Sequence, residues 1–363
     1  MTVWNHLIPY DELPDVPEDR LESREVMRAC ADARAALEGL RQVTKVLPNP
    51  GVLISALPLL EAQASSAIEN VVTTRDALFR SANDLVGADA ATGEALRYRD
   101  ALALGASAIA SGRPIATVLA EQLCSCIRRV ETPVRRGPGT VLASGGKVIY
   151  TPPGGERRVR ALLTRWERFV HGRSGLDPLL RMAAAHYQFE AIHPFTDGNG
   201  RTGRILNLLI LVERGLLEQP VLHLSRYILR HRAEYYRRLL AVTAAGDWDG
   251  WLRYMLAAVG DTARWTTSRV DAIARLHDAT AIEVRRVLPK IYSRELIDVL
   301  FTQPYCRIGD LVAAGVAKRQ TASTYLQALA TAGLLEVRVA GREKLFVNTR
   351  FMALLAEGDE PRG

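Results

Sequence analysis

The stretch His193-Pro194-Phe195-Thr196-Asp197-Gly198-Asn199-Gly200-Arg201-Thr202-Gly203-Arg204 constrains this chain more than any other. It follows an apolar run at 179–192 and opens a second at 205–212, so it reads as a loop between two helices that ends where a helix begins. Gly198 and Gly200 allow backbone conformations that turn successive N–H groups onto an anion. The N-terminus of the following helix adds unpaired donors and partial positive charge. Arg201 and Arg204, three apart, can reach one side of that helix and grip phosphate oxygens. Asp197 is a hard oxygen ligand of the kind Mg²⁺ takes beside phosphates. His193, titrating near neutrality, can accept a proton from a hydroxyl. These are the parts of a phosphoryl- or nucleotidyl-transfer site. Other readings fail on spacing. The stretch lacks the Gly-Lys-Ser/Thr ending of a P-loop, and an EF-hand begun at Asp197 would meet Thr202 and Leu208 where it needs Gly and Glu. A zinc site from His186, Glu190 and His193 is open on helical spacing, although no HExxH is present.

At these residues the chain resembles the Fic family, whose signature His-x-Phe-x-Asp/Glu-Gly-Asn-Gly-Arg-x-x-Arg is matched at every fixed position. The resemblance implies transfer of AMP from ATP to a protein hydroxyl, with Mg²⁺. It makes His193 the base, Asp197 the metal ligand and Phe195 the anchor of the loop. Gly198, Asn199 and Gly200 become the anion nest, and Arg201 and Arg204 hold the outer phosphates. The related Doc kinases carry Lys where this chain has Gly200 and lack the last Arg, which favours AMP transfer over phosphorylation.

Composition fits an ordinary globular protein. Hydrophobic residues make up 48% and charged residues 24% of the 363, and no apolar run approaches the ~20 residues needed to span a bilayer. Residues 1–20 are polar and Pro-rich without the pattern of a secretory signal. Four scattered cysteines (Cys30, Cys124, Cys126, Cys306) form no metal-type pairing, so reduced thiols in a cytoplasm are expected. A net charge of +7 is compatible with nucleotide, nucleic acid or an acidic partner and selects none of them.

Along the chain, Pro9, Pro14 and Pro17 make residues 1–20 an extended arm. Residues 21–46 are helical, with Val26, Cys30, Ala33, Leu37 and Leu40 on one face, and residues 47–51 break the helix. The next helix, at about 58–71, contains Ser65-Ser66-Ala67-Ile68-Glu69-Asn70. This resembles the inhibitory helix of Fic proteins, Ser/Thr-x-x-x-Glu-Gly/Asn. The resemblance implies that Glu69 pairs with Arg204 in the space a γ-phosphate needs. After helices at 73–131, Val134-Arg135-Arg136 enters a loop, with Arg135 open to phosphate, target or solvent. Two β-prone runs then flank Gly145-Gly146, a hairpin that resembles the Fic flap. Val148, Ile149 and Tyr150 would there register a target segment by strand addition.

Helices follow at 159–169 and 178–192, with His186 and Glu190 sharing a face as support for the loop. In the apolar helix after the motif, Asn207 is the one polar residue, read as a nucleotide contact or a tie to the loop. In the family an aromatic lies near the adenine, which carries over to Tyr236; the Asn that some members place seven residues later is Thr243 here. A helix begins at Asp247-Trp248, and a charged helical connector runs to Val287. The remainder, with a helix–turn–helix at 308–331 and a hairpin at 335–347, resembles a winged helix domain. Lys318, Arg319, Gln320, Arg338, Arg342 and Lys344 there are candidates for DNA phosphates, set against a docking or dimerisation role.

The expected fold is mainly α: an N-terminal arm and helices with the inhibitory helix (1–95), a Fic core with its flap (96–258), a linker helix (259–290) and a winged helix domain (291–358). The expected function is a self-restrained protein adenylyltransferase using ATP and Mg²⁺ on a Ser, Thr or Tyr hydroxyl. Its alternatives are a hydrolase that removes AMP at the same site and a winged-helix regulator that senses nucleotide. A homodimer is expected from family habit, and no membrane association.

Overall fold

The computed structural model describes residues 4–45, 55–82, 88–137, 141–144, 146–340 and 343–356. The predicted break at 47–51 and wing residue Arg342 lie outside these. Helix α1 (Arg24–Lys45) buries Val26, Cys30, Ala33, Leu37 and Leu40, the stripe read from the sequence. Helix α2 (Leu57–Ile68) is buried almost all round, including Glu61, Ser65 and Ser66. Thr74 caps α3 (Arg75–Ser81) by accepting from the Ala77 N–H, and Asp89 caps α4 (Ala90–Ala110) through the Thr92 N–H. α5 (Thr117–Arg128) packs along α4.

The hairpin is present as β1 (Leu142–Ser144) and β2 (Lys147–Tyr150), antiparallel with Leu142 opposite Tyr150. Helices α6 (Glu156–Val170), α7 (Pro178–Ile192) and α8 (Asn199–Glu213) follow. α7 and α8 bury residues on every face, as continuously apolar helices must at the centre of a bundle. Around them lie α9 (Leu224–Arg230), α10 (Arg232–Ala245) and α11 (Trp248–Val287).

α11 departs from expectation. The predicted core helix and the predicted linker at 259–290 are one helix of 40 residues, so the 258/259 boundary falls within it. Val259, Ala263, Thr266, Val270, Ile273, His277 and Val284 continue the buried stripe by helical steps. That stripe packs along α1 and then meets the C-terminal helices. The 95/96 boundary likewise falls inside α4.

The C-terminal unit comprises α12 (Arg294–Leu300), β3 (Tyr305–Cys306), α13 (Ile308–Ala313), α14 (Arg319–Thr331), β4 (Glu336–Ala340), β5 (Glu343–Val347) and α15 (Thr349–Ala356). Its strands form an antiparallel sheet in the order β3-β5-β4. This is the expected helix–turn–helix followed by a hairpin. It docks on α3: Asp76 takes Arg338 Nη1 at 2.9 Å and the Tyr305 hydroxyl, and Arg307 Nη2 donates to Arg80 O at 2.9 Å. Arg338, a candidate DNA contact, makes these bonds with 43% of its side chain exposed. Among the described residues no helix is long and apolar enough to cross a membrane.

Candidate active site

The site begins where α7 stops. His193 takes a left-handed conformation (φ 49°, ψ 61°) while its N–H still bonds Phe189 O at 3.0 Å, and Pro194 prevents continuation. The turn is then braced from within. Asn199 Oδ1 accepts the Phe195 N–H at 2.8 Å, and Asn199 Nδ2 donates to Phe195 O at 2.9 Å, with the Phe195 ring buried against Phe189. The Asn199 side chain is thus consumed in holding the loop. Phe195 anchors it as expected.

Arg135 braces the same turn from outside, and the exposed roles considered for it do not hold. Its side chain is buried because its donors are all used on backbone carbonyls. Nε donates to His193 O at 2.7 Å, Nη2 to Ile192 O at 3.2 Å and to Pro153 O, while its N–H bonds Pro194 O at 2.9 Å. One guanidinium thus ties the end of α7 to the chain leaving the hairpin. Tyr150 does the same from the flap: it points inward and donates to Ala191 O at 2.7 Å, beneath Trp4 and Tyr10. Only Val148 and Ile149 of the predicted flap contacts are left partly open.

Burial lowers the His193 pKa to about 4, with the Arg135 charge adding to the effect, and Nδ1 is enclosed without a hydrogen-bond partner among the described residues. The imidazole is therefore neutral at physiological pH, the form a base requires.

Gly198, left-handed at φ 88°, caps α8, and a Cβ there would meet Cys124 Sγ at 3.0 Å. Cys124 packs under the loop and donates to Asp197 O. The first N–H groups of α8 have no intrahelical acceptor and face the turn.

The two arginines do not share one clamp in this structure. Arg204 is fully buried and turns toward α2. Its Nε donates to Ser65 Oγ at 2.8 Å, and its Nη2 donates to Ser65 O at 2.9 Å and to Glu69 Oε1 at 2.8 Å. It thereby caps the last turn of α2 with a cation, where the helix dipole favours one. Burial works against the Glu69 carboxylate, but the Arg204 charge and hydrogen bond outweigh it and hold the Glu69 pKa below the usual range. Asn70 follows with φ 64°, so the Gly/Asn choice at this position reflects a left-handed helix end. Glu69 fills the space above the motif: a Cβ on Gly200 would collide with Glu69 Oε1.

Arg201, only 5% exposed, instead ion-pairs through Nη1 with Glu94 of α4, and its Nη2 lies 3.5 Å from Asp197 Oδ1. Asp197 is 60% exposed and 3.3 Å from Arg128 Nε. Among the described residues no group of three or more His, Cys, Asp or Glu could hold a metal, so the zinc site is not formed. His186 Nε2 pairs with the Tyr235 hydroxyl at 2.8 Å, and burial raises the Glu190 pKa to about 7.

Tyr236 is partly exposed, with the Arg232 guanidinium 5.9 Å from its ring and Arg232 Nη1 on Asn70 Oδ1 at 2.9 Å. Thr243 pairs with the Tyr187 hydroxyl at 3.0 Å in the core. Asn207 is buried with neither side-chain polar atom paired among the described residues, so it does not tie the loop here. Sequence reasoning missed Glu94, Arg128, the Arg135 brace and Glu61. Glu61 anchors α2 through the Tyr98 hydroxyl at 3.2 Å and the Ser225 N–H at 2.9 Å. None of them has a local signal, because each finds its partner far along the chain.

The central pair of helices thus encloses a neutral histidine, a helix N-terminus and two buried arginines. Three family models match the chain. That of the Fic/DOC family N-terminal region matches residues 27–107, that of the Fic/DOC family 105–211, and that of the C-terminal domain of protein adenylyltransferase SoFic-like 276–351. The first two run unbroken across just over half of the 363 residues, and the chain belongs to the Fic/DOC family. Protein adenylyltransferase fic-1 of Caenorhabditis elegans is 44% identical over 80 residues, 22% of this chain and 14% of that protein. Protein adenylyltransferase Fic of Drosophila melanogaster is 32% identical over 124 residues, 33% of this chain and 24% of that one. The matches thus span less than a third of these curated relatives. Among solved structures, a Fic family protein from Desulfovibrio desulfuricans G20 superposes with a TM-score of 0.57 at 20% identity, over 90% of this chain and 96% of that one. Fic-1 from C. elegans superposes at 0.51 with 24% identity, over 70% and 73%. These show a shared fold.

Proposed function

We propose that the protein transfers AMP from ATP to a Ser, Thr or Tyr hydroxyl of a protein and is restrained by its own Glu69. The observation that carries this reading is the neutral His193 at the head of the turn that leads into a helix N-terminus whose second turn supplies Arg204. In the reaction, the target hydroxyl loses its proton to His193 and its oxygen bonds to the α-phosphorus. The bond from that phosphorus to the bridging oxygen breaks, and pyrophosphate leaves. The N–H groups at the start of α8 stabilise the developing charge, and Arg204, once free of Glu69, takes the outer phosphate. Val148 and Ile149 align the target segment.

The residues fit Mg²⁺ in one respect: Asp197 presents a single carboxylate that is 60% exposed, and Mg²⁺ commonly binds one or two carboxylates with phosphate oxygens and water. Bound there, Mg²⁺ would neutralise charge on the leaving pyrophosphate. Asp197 is the residue that would hold it.

The test is labelling with ATP carrying radioactivity on the α-phosphate, using the parent, Glu69→Gly, and Glu69→Gly with His193→Ala. Label that rises in the single variant and vanishes in the double is expected. Label from the γ-phosphate instead would make the protein a kinase. No transfer in any variant, with AMP released from a pre-modified protein by the parent, would favour the hydrolase.

A further inference from the structure

Four charged side chains alternate in sign across the mouth of the site: Arg128 of α5, Asp197 of the loop, Arg201 of α8 and Glu94 of α4. Asp197 stands between two guanidiniums, with Arg128 Nε at 3.3 Å and Arg201 Nη2 at 3.5 Å, and Arg201 stands between two carboxylates. Burial makes these contacts unequal. Arg201 lies deepest, where solvent screens least, while Glu94 is 25% and Arg128 29% exposed. A guanidinium cannot discharge itself by losing a proton. Without Glu94, the nearest anion left to Arg201 is Asp197, on the same carboxylate a divalent cation would use. A guanidinium and a metal ion compete for those oxygens.

We infer that Glu94 is a positioning residue: it holds Arg201 toward α4 and offsets its charge, leaving the Asp197 carboxylate to the divalent cation of the nucleotide. This rests on the reading above, in which Asp197 takes Mg²⁺. It differs from a second brake. A brake would occupy Arg201 as Glu69 occupies Arg204, and its removal would strengthen every form of ATP binding alike.

The two roles separate when ATP binding is measured by calorimetry on the full chain carrying Glu69→Gly, with EDTA and then across a Mg²⁺ titration. Glu94→Gln keeps the shape and removes the charge. The expected result is tighter binding of Mg²⁺-free ATP, since the site gains net positive charge. The Mg²⁺ concentration at half effect should rise by roughly tenfold or more, as for loss of a group behind a metal ligand. Glu94→Asp should recover much of the Mg²⁺ response. Tighter binding by one factor with and without Mg²⁺ would make Glu94 a brake and overturn the proposal, and so would equal weakening, which marks a purely structural role. Arg128→Ala carries the test if Glu94→Gln does not fold: removing the other competitor should lower the Mg²⁺ requirement, and no change would overturn the competition. If Glu69→Gly transfers no label from ATP, the transferase reading fails, while these binding measurements still decide the role of Glu94.

Discussion

Glu69 Oε1 lies 2.8 Å from Arg204 Nη2, and the same guanidinium holds Ser65 through both its hydroxyl and its carbonyl. One arginine of the phosphate site thus doubles as the C-terminal cap of the helix that blocks it. The carboxylate by itself is badly placed, because the C-terminal end of a helix repels negative charge. Its position depends on Arg204.

Glu69→Gly should therefore strengthen ATP binding while weakening the free protein. A hydrogen bond to a charged group contributes about 1.5–3 kcal/mol, equivalent to roughly 10–100-fold in Kd. Calorimetric titration measures the affinity. Thermal melts should show a lower Tm without ATP that saturating ATP restores. An unchanged Kd would mean that Glu69 does not compete with nucleotide.

The pH profile of AMP transfer by Glu69→Gly should reflect the buried state of His193. Its pKa is lowered to about 4 in the fold, against ~6.5 in an unfolded chain, so the base keeps its free lone pair through the physiological range. The acid limb of kcat/KM should fall below about pH 5. An acid limb at the ordinary histidine value would show that His193 titrates as though exposed.

Glu61 should make stability depend on pH. Burial raises its pKa to about 7, while the unfolded side chain titrates near 4.5. Because the folded value is the higher one, its contribution is complete below about pH 4.5 and is lost as pH rises to about 7. In urea denaturation the change of stability across that window should be more negative in the parent than in Glu61→Gln, superimposed on an opposing rise from His186 and His193, whose lowered pKa values favour the fold as pH climbs toward ~6.5. Glu190, raised to about 7 by burial as well, leaves part of the slope in place. An identical slope in the variant would show that Glu61 is not the titrating group.

Arg135→Ala should cost about 3 kcal/mol or more, since it strands the carbonyls of Ile192, His193 and Pro153 inside the protein at roughly 1–3 kcal/mol each. Arg135→Lys should recover little, because a point ammonium cannot reach three acceptors in the geometry of the planar fork. Urea midpoints would check both. A loss under about 0.5 kcal/mol, the size of a neutral surface change, would place the brace elsewhere.

The motif 193–204, the face of α1 and the hairpin were legible because each is local. Glycine conformation, helical spacing and the run of apolar residues act over a few positions and leave periodic marks. Tyr150 was legible as a strand residue, yet its inward orientation was not, since alternation along a short hairpin does not say which face meets the bundle. The extent of α11 was missed because its middle carries charge, and only packing along α1 shows that the other face is buried.

What the sequence by itself determined is the chemistry available: a histidine, a helix N-terminus, two arginines and a carboxylate within twelve residues, with a Ser-to-Glu spacing that suits one helical face. What only the tertiary structure decided is how each charge is spent. Arg204 belongs to Glu69 and Ser65, Arg201 to Glu94, and Arg135 to four carbonyls. A buried cation must find an anion or a full set of acceptors, and which one it finds is set by the helices packed against it, not by its neighbours along the chain.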